Sequence, residues 1–311
     1  MRILENDFEN LSSEDSEILK KYFHGFDYRG SGYTLLANYI WRNTHCISWE
    51  IVDDFLYISG GNCSEAMISM PLTKDGTYNR DKLRNSLLKV KKKFDDRHLK
   101  FHMDLVPEHM VDFVKEAFPG EVEVQRDRDM DEYVYLKDKM ITLSGRALHK
   151  KKNHMNYFMK TYKFEVRKLT PDMSEEVKTL LDRMRDSRDY SEEDLKSLAL
   201  EEEAVLQMMR FTGSEEVYGT AIYIEGELVA FALGERLDSN TAVEHFEKAD
   251  DRYRGLYQVI SSEFCKNLPE EIVYINREED MGIENLRKAK EALKPDHMEV
   301  RYTIDFCEKK C

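Results

Sequence analysis

Three strand-like runs follow one another in the second half of the chain, and their spacing restricts the fold more than any other feature. They are EEVYGTAIYIE (215–225), ELVAFALGER (227–236) and TAVEHFEKA (241–249). A Glu-Gly turn at 225–226 joins the first two, and Asp238-Ser239-Asn240 joins the second and third. GLYQVISSEFCKNL (255–268) then reads as helix, EIVYIN (271–276) as strand, GIENLRKAKEAL (282–293) as helix and MEVRYTIDF (298–306) as a final strand. Upstream, KFEVRKL (163–169) alternates like a strand. A helix opens at Pro171 with an acidic first turn, and a second opens at Ser191 with Asp194 placed for a capping box. The order is β-α-α-β-β-β-α-β-α-β.

The first half repeats most of this order. Helices are expected at Ser13–His24 and Tyr33–Arg42, and strands at CISWEIV (46–52), FLYISG (55–60) and AMISMPL (66–72). The helix RDKLRNSLLKVKKKF, the strand LKFHMDL, the helix PEHMVDFVKEAF and strands near EVEVQ and DEYVYL follow. Residue identity between the halves is slight, so the repeat is one of architecture. The expectation is an α+β fold with mixed sheets in two tandem domains. Residues 1–142 form the first, 163–311 the second, and 143–162 a basic connecting helix.

A chain of 311 residues with 41% hydrophobic and 11% aromatic content can build two cores. No apolar run approaches the ~20 residues of a membrane span, and MRILENDFEN lacks the apolar core of a signal peptide, so cytoplasmic location without stable membrane insertion is expected. Cys46, Cys63, Cys265, Cys307 and Cys311 are scattered and odd in number, which fits reduced thiols. No histidine spacing argues for a metal. The formal net charge of -14 works against a broad hold on DNA, tRNA or anionic lipid. Against that background, Arg146, Lys150, Lys151, Lys152, Lys160, Lys163, Arg167 and Lys168 face only Glu165 in their stretch. Such a belt suits a focused anionic partner, or simply a solvated helix.

Three segments carry candidate chemistry. In the first, Arg252, Arg254 and Gly255 sit between a strand and a helix N-terminus, followed by Tyr257 and Gln258. Backbone N–H groups there, with Lys248 and the arginines, make an anion site; the bland alternative is a strand–helix junction with surface arginines. In the second, Asn276, Arg277, Glu278, Glu279 and Asp280 crowd the carboxyl end of a strand ahead of Gly282, with Arg287 and Lys290 one turn apart. Ligands favour such ends, although helix capping and solvation account for part of the charge. In the third, Lys150 and His154 share one helical face, and Lys152 and Asn156 another. One face would meet an anion while the other is solvated, unless the helix is only a charged connector. No Ser-His-Asp order, nucleophile elbow or Walker loop is present, and the first half reads as scaffold.

Meandering strands, a third strand, then helix, strand, helix and strand is the element order of the GNAT acyltransferase fold, and two in tandem resemble the Fem-type aminoacyltransferases. LSGRALHKKKNHMNYF (143–158), EHFEKADDRYRGLYQVISSEF (244–264) and INREEDMGIENLRKAKEALKPDHM (275–298) resemble three blocks of the soluble DUF2156 proteins. These in turn resemble the catalytic region of phosphatidylglycerol lysyltransferases. The resemblance implies an acyltransferase drawing on aminoacyl-tRNA and acting on a lipid or small-molecule hydroxyl or amine. Its partners would be an anionic small molecule or lipid head group and charged tRNA, with no tightly bound cofactor. Glu247 or Glu278 would then be the acid/base group. GNAT enzymes bind acyl-coenzyme A through Arg/Gln-x-x-Gly-x-Gly/Ala; here Arg252-Tyr253-Arg254-Gly255-Leu256-Tyr257 ends in a ring where a small residue belongs. An acyl-coenzyme A donor is therefore the second expectation, and a non-catalytic binder of an anionic ligand the third.

Overall fold

The computed structural model describes residues 8–25, 30–61 and 66–307; Cys63 and Cys311 lie outside them. Along the chain the strands are β1 (Glu9–Asn10), β2 (Ser48–Val52), β3 (Phe55–Gly61), β4 (Ala66–Ile68), β5 (His102–Pro107), β6 (Val122–Arg126), β7 (Glu132–Leu136), β8 (Glu165–Lys168), β9 (Val217–Ile224), β10 (Glu227–Arg236), β11 (Thr241–Ala249), β12 (Tyr274–Asn276), β13 (His297–Glu299) and β14 (Arg301–Phe306). The α-helices are α1 (Ser16–Phe23), α2 (Leu35–Ile40), α3 (Arg80–Asp95), α4 (Glu108–Ala117), α5 (Lys137–Thr142), α6 (His149–Thr161), α7 (Ser174–Asp186), α8 (Glu192–Met209), α9 (Leu256–Asn267) and α10 (Glu284–Glu291).

Two seven-stranded mixed sheets result, in the orders β1-β2-β3-β4-β5-β14-β6 and β13-β7-β12-β11-β10-β9-β8. Each contains an antiparallel meander and one parallel pair, β4–β5 in the first and β11–β12 in the second. A parallel pair needs a long crossover, and α3 and α9 supply it. This is the GNAT-like plan in tandem.

The units are not the two continuous halves expected. One comprises residues 8–132 with 299–307, and the other 133–298. The stretch expected as a single closing strand, 298–306, is divided between β13 in the second sheet and β14 in the first. β7, expected to close the first sheet, pairs instead with β12, Tyr135 opposite Ile275. The junction thus falls before residue 142, and the basic helix α6 packs on α9 within the second unit.

Local chemistry explains the elements. Leu83, Leu87, Val90 and Phe94 line the buried stripe of α3, and the Asn79 side chain caps it by accepting from Lys82 N at 3.1 Å. The expected capping box opens α8: Asp194 N donates to Ser191 Oγ at 3.1 Å and Ser191 N to Asp194 at 3.2 Å. β10 is buried along eight consecutive residues because α7, α8 and α9 all pack against it.

In the first unit, β4 and β5 share a single register pair, Ile68 with Met103. Beyond it the buried Tyr33 hydroxyl bridges the strands, donating to Leu105 O at 2.9 Å and accepting from Met70 N at 3.1 Å. The carboxyl end of this parallel pair is therefore filled by the chain's own side chain. Tyr33→Phe would leave both backbone groups unpaired, at a cost of about 1–3 kcal/mol in urea unfolding. A loss below about 0.5 kcal/mol would mean that this bridge does not hold the strands.

Candidate active site

The site is built on an irregularity. The β10–β11 ladder pairs Leu233 with Phe246 and then slips to pair Gly234 with Glu244, so His245 is an extra residue. Strict alternation puts Glu244 with Phe246 and Lys248 on one face and Glu247 on the other. The bulge cancels that alternation, and Glu244 and Glu247 both reach Arg277. Gly234 is required here, because a Cβ would lie 2.1 Å from Val243 O.

Backbone pairing with β7 fixes Arg277. Its N–H donates to Tyr133 O at 2.9 Å, and Tyr133 N to Glu278 O at 3.1 Å. The guanidinium, 15% exposed, lies with Nε 2.9 Å from Glu244 Oε2 and Nη2 3.0 Å from Glu247 Oε2. Glu244 is fully enclosed, and burial followed by the Glu247 charge pushes its carboxyl well above the usual range, against the pull of Arg277.

Next to it, the wholly buried His245 ring contacts Glu278 Oε1 through Nδ1 at 2.7 Å and Glu235 Oε1 through Nε2 at 3.0 Å. Burial opposes its charge, but the two carboxylates outweigh burial and raise the imidazole to about 10. Glu278 adopts a left-handed backbone, φ 57°, its N–H donating to Asn276 Oδ1 at 2.8 Å.

The remaining charges of the strand–helix handover are also matched internally. Asp280 accepts from Tyr133 Oη at 2.6 Å, Gly282 N at 2.9 Å and Arg287 Nη2 at 2.6 Å. Burial pushes this carboxyl up, but those donors hold it well below its usual range. Asp280 caps no helix end: α10 begins after Ile283 without a side-chain cap. Lys290 Nζ donates to the carbonyls of Arg277 at 2.6 Å, Glu278 at 3.2 Å and Glu279.

Glu247 and Lys248 open onto a cavity of about 150 Å³ together with Tyr257, Tyr190, Glu201 and Arg188. Lys248 Nζ lies 2.7 Å from Glu201. Gly255, φ 92°, begins α9, and a Cβ on it would meet His154 O at 2.1 Å, so the α6 backbone presses on this helix N-terminus. Arg252 is engaged by Asp250 at 2.7 Å and Glu227 at 3.3 Å. Arg254 is exposed, its guanidinium 5.2 Å from the Tyr157 ring, and Gln258 is partly buried. Lys150 and Asn156 are exposed and Lys152 and His154 partly so.

The family described as phosphatidylglycerol lysyltransferase, C-terminal, matches residues 23–305. The chain belongs to this family. A conserved protein of unknown function from Bacteroides thetaiotaomicron is 26% identical with a TM-score of 0.84, over 96% of this chain and 99% of that one. L-PGS from Bacillus licheniformis shares the fold at 11% identity and a TM-score of 0.66, over 99% of this chain and 95% of that one. An uncharacterized protein of Mycoplasmoides gallisepticum, MYCGA3080, is 28% identical over 175 residues, 55% of each chain. The chain therefore spans about half the length of this curated relative. Among the described residues, no helix is long and apolar enough to cross a membrane.

In this member of the phosphatidylglycerol lysyltransferase C-terminal family, Arg277 and Glu247 come together with Glu244, Glu278 pairs with His245, and Arg252, Asp280, Arg287 and Lys290 are held in internal contacts. Glu244, His245, Glu235 and Tyr133 were not among the expected site residues, nor was Lys151. Lys151 is partly buried on α6, and the pKa of its ammonium is lowered by burial and then by Arg277, with Glu247 acting the other way. The one signal in the sequence was Gly234, an isolated glycine within a strand pattern.

The His245 charge has a testable sign. Its stabilisation is complete below about pH 6.5, the ordinary imidazole value, and disappears as pH rises through about 10. The stability difference between wild type and His245→Gln should shrink across that window in denaturant unfolding. A pH-independent difference would mean a neutral ring.

Proposed function

We propose that this protein is an acyltransferase that takes an aminoacyl ester, carried by tRNA, as donor and a hydroxyl or amine as acceptor. The observation that carries this reading is the position of Glu247, at the cavity beside Lys248 and Tyr257 with Arg277 against it. An aminoacyl ester is already activated, so the protein has to orient it, accept a proton and stabilise the oxyanion. Glu247 takes the proton of the attacking hydroxyl or amine as the bond to the carbonyl carbon forms. When the ester C–O bond breaks, the proton passes to the departing oxygen. A cavity of about 150 Å³ suits an amino-acid-sized group.

Three features favour this donor over acyl-coenzyme A. Tyr257 occupies the small-residue position, His154 O crowds the start of α9, and Arg252 is engaged by Asp250. Among the described residues, Arg167 is the one cation of the 146–168 belt in an ion pair, with Glu165. The others leave positive potential available to a polyanion on an otherwise acidic protein.

The test is transfer of labelled amino acid from a panel of aminoacyl-tRNAs to phosphatidylglycerol vesicles or a small amine. Glu247→Gln should lower the rate by about 10²–10⁴-fold, and acetyl-coenzyme A should leave the unfolding midpoint unchanged. Turnover of acetyl-coenzyme A with none of any charged tRNA would contradict the donor, and an unimpaired Glu247→Gln the assignment of the base.

A further inference from the structure

Glu244 has no role in the reaction as outlined, yet the structure surrounds it with an unresolved charge balance. Glu244 and Glu247 share one guanidinium. Arg277 is close to both, but its N–H groups do not point at their oxygens, so Glu244 Oε1, Glu244 Oε2 and Glu247 Oε2 are buried without a hydrogen-bond donor. Among the described residues Arg277 is the cation in ion-pair contact with them, so two ionised carboxyl groups would outnumber it in a largely buried site, which burial penalises. Orphaned oxygens on two facing carboxyl groups are resolved at once by a proton between them.

We infer that Glu244 and Glu247 form a carboxyl–carboxylate pair holding one proton, with Glu244 the buried donor and Glu247 the acceptor that faces the cavity. The bulge at His245 creates the pair, since it brings positions 244 and 247 to the same side. The groups acting on it include Arg277, Tyr135 from β7, Lys290 from α10, Lys151 from α6, and Tyr257 and Cys265 from α9. Arg277 balances the one remaining negative charge. The raised carboxyl of Glu244 agrees with this arrangement. Glu244 is then a positioning residue: its O–H fixes the Glu247 carboxylate and leaves the outward oxygen to accept the nucleophile's proton. This last consequence rests on the acyl-transfer reading, whereas the pair does not.

Infrared difference spectroscopy of the purified chain tests the pair without any substrate. At pH 7 wild type should show the carbonyl band of a protonated carboxylic acid, shifting in D₂O. Glu244→Gln should abolish the band while keeping the unfolding midpoint within about 4 °C of wild type. Glu247→Gln should shift the band, because the Glu244 O–H then donates to an amide oxygen in place of a carboxylate. Absence of the band in wild type, its survival in Glu244→Gln or an unmoved band in Glu247→Gln would overturn the pair, and the wild-type spectrum decides even if Glu244→Gln does not fold. In the transfer assay Glu244→Gln should stay within a few-fold of wild type and the similarly sized Glu244→Met, which cannot donate a hydrogen bond, fall tenfold or more, a difference that lost packing alone does not give. An observed band with no turnover of any aminoacyl ester would leave the pair standing and remove the reaction.

Discussion

Arg277 is a permanently charged group with little access to water, and the second unit is arranged around that fact. Burying a guanidinium costs several kcal/mol unless opposite charge meets it at close range. Regular strand geometry cannot bring carboxylates at positions 244 and 247 to the same cation, because they point to opposite faces. The β11 bulge overcomes this, Gly234 makes room for the bulge, and pairing with β7 sets the height of Arg277. The same shift buries His245 between Glu235 and Glu278. Sheet irregularity, ion pairing and the placement of Glu247 at the cavity are therefore one structural event.

The density of charge after Tyr274 follows from it. Asn276 orders the turn, Arg277 meets the β11 carboxylates, Glu278 meets His245, Asp280 meets Arg287, and Lys290 satisfies three carbonyls at the strand's end. Much of what looks like a ligand site in the linear sequence is a scaffold satisfying itself. What faces the cavity is the edge of Glu247, with Lys248 and Tyr257.

Element order was legible because short turns, caps and periodicity are local signals, as at Glu225-Gly226 and Ser191. Sheet membership is not local: nothing in the composition of β7 or β14 states which sheet each enters, and each joins the sheet formed mostly by the other half of the chain. The polar stretches at 244–248 and 276–280 were also legible, but their geometry was not. A single bulged residue reverses every face assignment beyond it. On α6, successive residues differ by about 100°, so Lys151, on neither of the two faces considered, is the lysine whose charge is felt by Arg277 and Glu247, while Lys150 is exposed.

Unfolding of Arg277→Met in denaturant is the most direct test of the claim that this guanidinium organises the site. Leaving two buried carboxyl groups without their cation should cost about 3–5 kcal/mol, and the triple variant Glu244→Gln, Glu247→Gln, Arg277→Met should recover much of that loss. An Arg277→Met protein within about 0.5 kcal/mol of wild type, or a triple variant as weak as the sum of its single changes, would contradict it.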